Sequence, residues 1–123
     1  MGRQLPNTLA VLAFLGMLLS TVSAFAGFGA VAWDKETGKT GWIWNQPTAQ
    51  KAAEKALSEC GATGCRIVIK PTSDCAAVAT TSDGKIIGAA ARKTQDAARL
   101  KALTDCQKRK GGECVVRASD CNK

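Results

Sequence analysis

Six cysteines and no histidine define the chemistry open to this chain of 123 residues. Without an imidazole there is no Ser-His-Asp triad, no Cys-His pair and no zinc site of mixed Cys and His ligands. No two cysteines form a C-x-x-C pair, so a zinc cluster lacks its usual spacing. Three options remain: paired carboxylates, a Ser–Lys dyad, and a metal held by carboxylates alone. Most acidic residues fall on turns or polar helix faces, where a solvated charge is the ordinary state. Asp74 and Asp120 each precede a cysteine, and an aspartate so placed more often organises a turn than transfers a proton. Ser73 and Ser119 have no fixed lysine partner. The expectation is a protein that is not an enzyme, with no catalytic residue, no metal site and no cofactor.

The compartment explains the cysteines. Arg3 precedes an uncharged run from Leu9 to Val22, and Ala24-Phe25-Ala26 follows with small residues at the cleavage positions. This is the order of a secretory signal, and the apolar run is too short to span a bilayer comfortably. Residues 1–26 are therefore read as a signal peptide, with a mature chain from Gly27 that is periplasmic or secreted and has no membrane span. All six cysteines lie in that mature part. An even number in a small exported domain predicts three disulfides, which such domains need because their cores are small.

The elements that must position these cysteines repeat. A shift of 46 residues lays Thr48–Cys60 over Thr94–Cys106, and Ser73-Asp74-Cys75 over Ser119-Asp120-Cys121. Cys65 and Cys114 correspond once three extra residues are allowed in the second loop, with the last strand then three residues shorter. Upstream, Ala30-Val31-Ala32 matches Ala77-Val78-Ala79 at a shift of 47. Residues 27–123 thus form one domain of two repeats, about 29–75 and 76–121. Each repeat opens with an apolar strand, Gly29–Trp33 or Ala76–Thr80. After a turn, marked in the second copy by Asp83-Gly84, comes another strand, Thr40–Asn45 or Lys85–Arg92. Thr48 and Thr94 stand where helix N-caps belong. In the first helix Ala49, Ala52, Ala53, Ala56, Leu57 and Cys60 make one apolar stripe. Gly61 and Gly111-Gly112 are natural stops, and the last strands are Arg66–Lys70 and Cys114–Ala118. The predicted fold is α+β: two ββαβ repeats about a pseudo-two-fold, with mostly antiparallel sheet, two helices and three disulfides.

This arrangement narrows the pairing. Cys60 ends a helix and Cys65 begins the next strand; Cys106 and Cys114 do the same. Local bridges Cys60–Cys65 and Cys106–Cys114 leave Cys75–Cys121, which as equivalent positions would join the two copies across the axis. The rival pairs Cys65–Cys75 and Cys114–Cys121 would link the two ends of a strand some 17 Å long, too far for a disulfide.

The doubled pattern resembles domain of unknown function 4189, a family of small exported bacterial domains. The match is carried by Gly29–Trp33, Gly41–Trp44, Thr48–Cys60, Cys65–Lys70, Thr94–Cys106 and Cys114–Cys121. Family members often have aromatics on the second strand of both copies, whereas Gly88 and Ala90 stand there in the second copy of this chain. The resemblance implies an exported, disulfide-bonded domain that occurs alone or as an accessory, with no catalytic residues to carry over.

Two surfaces remain as binding candidates. Trp42 and Trp44 alternate with Ile43 and so share a strand face, with Trp33 across the hairpin. They are either core, packing against the small residues of the other copy, or a one-sided patch for a partner. The chain is basic, with 17 Lys+Arg against 10 Asp+Glu. Its densest run, Lys108-Arg109-Lys110, also suits the negative end of a helix dipole. No nucleic-acid motif is present. The expected function is a binding module for a protein partner, as an inhibitor, immunity or accessory component. The alternative is a cationic cell-envelope protein that binds anionic glycan or lipid headgroups.

Overall fold

A computed structural model describes residues 27–110 and 113–123. The secretory signal expected over residues 1–26 and the Gly111-Gly112 stop lie outside the described residues. The elements run β1 (Phe28–Trp33), β2 (Thr40–Gln46), α1 (Ala49–Cys60), β3 (Arg66–Thr72), β4 (Cys75–Thr80), β5 (Ile87–Arg92), α2 (Gln95–Lys110) and β6 (Val115–Cys121). They form two antiparallel three-stranded sheets, ordered β2-β1-β3 and β5-β4-β6. The arrangement is two ββαβ units of the same topology.

The alternation of each central strand builds four layers. Ala30 and Ala32 of β1 turn to α1, where they meet Ala52, Ala56 and Cys60. Ala77 and Ala79 of β4 meet Ala98, Ala102 and Cys106 of α2 in the same way. The intervening Val31, Ala76 and Val78 point the other way and join Ile69 and Ile87 in a third cluster between the sheets. The order is α1, first sheet, second sheet, α2. At one margin of the sandwich β3 lies beside β5, and at the other β2 lies beside β6. Exchanging the two units turns one margin into the other, as an approximate two-fold requires.

Local chemistry fixes the elements. The Thr48 hydroxyl accepts from the Lys51 N–H at 3.1 Å, and Thr94 accepts from the Ala97 N–H at 3.2 Å, so each helix has its N-cap. Gly61 ends α1 in the left-handed conformation, with its N–H on the Leu57 carbonyl. The helices sit close to their sheets. A Cβ on Gly41 would strike the backbone of Ala56 and Cys60, and one on Gly88 the backbone of Ala102 and Cys106. Only glycine permits that approach.

The bridges are Cys60–Cys65, Cys106–Cys114 and Cys75–Cys121. The first two tie a helix to the start of the next strand, from the last residue of α1 and from one turn before the end of α2. The third departs from expectation in what it joins. Cys75 opens β4 and lies opposite Cys121 at the end of β6, so this bridge closes a ladder within the second sheet and does not link the copies. Cys75 and Cys121 are not equivalent positions: Ser73-Asp74 form the connection into β4, whereas Ser119-Asp120 belong to β6. The second unit therefore starts at Cys75, one residue before the expected boundary. Its last strand is not shortened, since β3 and β6 have seven residues each.

The Cys75–Cys121 bridge spans 46 residues and Cys60–Cys65 spans five. Constraint of the unfolded chain is worth about 4 kcal/mol for the first and about 2 kcal/mol for the second. A Cys75→Ala, Cys121→Ala variant is expected to lose more stability in urea denaturation than a Cys60→Ala, Cys65→Ala variant. The opposite order would show that packing around the buried Cys60 outweighs chain entropy.

Candidate functional site

The tryptophans define the inter-sheet layer. Trp33, Trp42 and Trp44 are each half-buried and pack on the cluster of Val31, Ile69, Ala76, Val78 and Ile87. Their strand alternation turns them to the second sheet, so they do not form an exposed patch. Trp33 reaches across it: its indole Nε1 donates to the Gly84 carbonyl at 2.7 Å.

The counterparts of these tryptophans in the second unit are not those that a uniform shift of 46 selects. Gly88 and Ala90 turn to α2. Strand pairing sets the true correspondence. Val31 lies opposite Trp42 in the first sheet, and its counterpart Val78 lies opposite Ala89 in the second. Trp42 thus corresponds to Ala89 and Trp44 to Ala91, a shift of 47. The extra residue is in the first unit, at Asn45. There β2 bulges opposite Gly29 and the backbone has φ of 57°. The exchange of large for small residues between the copies stands, moved by one position, but the two sets do not pack on each other as expected: β2 lies at the β2–β6 margin and β5 at the β3–β5 margin.

This size difference makes the two margins unequal. At the β2–β6 margin a concavity of about 280 Å³ is lined by Gly38, Thr40, Trp42, Thr80, Gly84 and Arg117, among others. At the β3–β5 margin an open groove of about 610 Å³ has the matching positions occupied differently. Ala89 replaces Trp42, Ile87 replaces Thr40, Val68 replaces Arg117 and Trp33 replaces Thr80. The first margin is filled by an indole and by Arg117, whose Nε donates to the buried Thr80 hydroxyl at 2.9 Å. The second is left open by an alanine. Its floor is apolar, from Trp33, Val68, Ile86, Ile87 and Ala89, and its exposed charged residues are Lys35, Lys85 and Arg109. No carboxylate lines it. A smaller hollow of about 270 Å³ on the other side of Trp33 mixes signs, with Lys35 and Arg66 beside Asp34 and Glu36.

Of the basic run, Arg109 reaches the groove and Lys108 is exposed; Lys110 closes α2, and its side chain lies outside the described residues. Lys35, Lys85, Val68, Ile87 and Ala89 were not legible as site residues. A shift of 47 along the second strands would have revealed the Trp-to-Ala exchange.

The acidic residues serve the turns. The Thr37 hydroxyl donates to Asp34 Oδ2 at 2.8 Å and the Glu36 N–H to Oδ1 at 3.0 Å. The Thr37 bond, helped by backbone N–H groups and the charge of Lys39, holds the Asp34 carboxyl below its usual range against the opposing effect of burial. Asp83 is lowered in the same way, first by the Lys85 N–H and then by the Thr81 hydroxyl. The Ser119 hydroxyl accepts from Gln95 Nε2 at 2.9 Å. Asp74 and Asp120 are exposed, and Asp120 accepts from the adjacent Cys121 N–H. Among the described residues no three His, Cys, Asp or Glu side chains converge on a metal-sized site, and no helix is long and apolar enough to cross a membrane.

The fold and groove define a class: a small disulfide-bonded sandwich of two ββαβ units with one of two related margins open. The chain belongs to the family described as Domain of unknown function (DUF4189), whose model matches residues 28–121. It is similar to the NMR structure of Rv1813c from Mycobacterium tuberculosis, at 29% identity and a TM-score of 0.60, over 82% of this chain and 79% of that one. No curated protein matches it in sequence.

Two outcomes test this packing. Trp42→Ala or Trp44→Ala is expected to lower unfolding stability by roughly 3 kcal/mol, and an unchanged urea midpoint would mean that the ring does not hold the sheets together. Asp34 has a folded pKa below its unfolded value, so its contribution is complete above about pH 4 and is lost as pH falls through the folded value. Asp34→Asn should therefore melt lower than the parent at neutral pH, with the gap closing towards pH 3. Parallel melting curves at both pH values would remove the charge from the explanation.

Proposed function

We propose that the protein is an exported binding module that performs no catalysis and holds a protein partner in the β3–β5 groove. The observation that carries this reading is the inequality of the two margins. The same framework is filled on one side by Trp42 and open on the other at Ala89. A volume of about 610 Å³ is in the range of ligand sites, and an apolar floor with a few charges at its edge is their usual composition. Three bridges in so small a domain suit an oxidising compartment and a rigid surface, which loses little entropy on binding. The non-catalytic reading draws on the bridged cysteines, the engaged Ser119 hydroxyl, and Asp34 and Asp83. These two carboxyls are lowered, the opposite of what a general acid needs.

The all-cationic rim also favours the second reading, adhesion to anionic envelope glycan or lipid. Salt separates them. Purely electrostatic adhesion falls steeply as ionic strength rises, whereas contact with an apolar floor persists. The decisive variant is Ala89→Trp, which gives the open margin the residue that its counterpart already accommodates. It is expected to fold with little change in melting temperature and to lose partner capture from the producing organism's envelope by tenfold or more, about 1.4 kcal/mol. Undiminished capture by a folded Ala89→Trp protein would move the site elsewhere.

A further inference from the structure

The groove runs along an edge strand that lacks the usual protection. Each sheet has two edges, and three of the four are irregular. β2 bulges at Asn45, β3 has two register shifts and carries Pro71, and β6 bulges where Arg117 stands between the pairings of Ala118 and Val116. Bulges, prolines and charges of this kind keep another strand from adding to a sheet. β5 has none of them before its terminal Arg92. Its six residues pair with β4 in unbroken register, and Ile87 to Ala91 are uncharged and without proline. Among the described residues its other side pairs with no strand. This regular edge borders the open groove, beside Lys35, Lys85 and Arg109.

Resting on the groove as the ligand site, we propose that its occupant is an acidic peptide segment in extended conformation that adds as a fourth strand to the outer edge of β5. Main-chain hydrogen bonds to β5 would supply a share of the affinity. Alternate side chains supply selectivity: apolar ones lie over Val68 and Ala89, and carboxylates meet the three cations. A second copy of this chain is a poor occupant, because it would bring its own Lys85, Arg92 and Arg109 to a rim that is already positive. Residues 1–26 are no better, since they contain no acidic residue.

The test uses residues 27–123 in oxidised form and a short synthetic peptide alternating valine with glutamate. Comparison probes are the same peptide N-methylated on alternate amides, in both phases, and vesicles containing phosphatidylglycerol. The expected result is binding of the parent peptide with slowed amide exchange in β5 between Ile87 and Ala91. At least one N-methylated phase should bind about tenfold more weakly, as should a Lys85→Glu, Arg109→Glu variant towards the parent peptide. No binding of the parent peptide, binding of both methylated phases as tight as that of the parent, β5–β5 dimers detected by sedimentation, or binding to vesicles alone each overturns the strand. The failures are distinguishable. Equal binding of the methylated peptides that the charge-reversal variant still abolishes leaves the groove as the site, whereas indifference to both changes removes the groove as well.

Discussion

Small residues at the helix–sheet contacts bring each helix against its sheet, and the rest of the molecule follows from that closeness. Ala30, Ala32, Ala52 and Ala56 on one side, and Ala77, Ala79, Ala98 and Ala102 on the other, leave room for little but methyl groups. Gly41 and Gly88 remove even those where the helix backbone passes directly over the second strand. A buried methyl contributes about 0.8 kcal/mol, so such layers are well packed but modest in total. Cys60 and Cys106 occupy the end of each thin layer, and each is bridged to the entry of the following strand. The covalent link thus secures the helix end where the packed area is small.

The tryptophans lie in the layer between the sheets, and there the two units differ. The indoles of Trp42 and Trp44 stand on β2 of one unit, and the matching positions on β5 of the other unit, at the opposite margin, hold Ala89 and Ala91. The indole of Trp42 helps close the β2–β6 margin, and the alanine at the matching position leaves the β3–β5 margin open, where the charge is of one sign.

Much of this was legible in the sequence because it is local. The N-capping threonines, the Asp83-Gly84 turn and the apolar strands each depend on near neighbours and form as read, and the alanine stripe forms in narrower shape, with Ala52, Ala56 and Cys60 buried and Ala49 and Leu57 exposed. The equivalence of Cys75 with Cys121 failed because identical tripeptides were aligned without regard to strand pairing, and pairing puts one in β4 and the other in β6. The groove was illegible for a related reason. One inserted residue at Asn45 changes the shift between units from 47 along the strands to 46 along the helices. Strand side chains alternate with period two, so an error of one exchanges the two faces. Gly88 and Ala90 therefore looked like the counterparts of the tryptophans when their neighbours Ala89 and Ala91 are.

The sandwich is fastened at both ends of its strands. At the hairpin tips Gly38 and Gly84, both at positive φ, lie backbone against backbone, and the Trp33 indole donates to the Gly84 carbonyl. At the far end the Asn45 N–H donates to Asn122 Oδ1 at 2.9 Å, and the Lys123 N–H returns to Asn45 Oδ1. Two sheets held at opposite ends cannot splay like a hinge. The slot between their margins has a set gauge, so in the proposed binding role it would sort guests by thickness before it sorted them by charge. The ordering on binding would then fall on the guest, and a partner already stiff and extended would have the advantage over one that must be straightened.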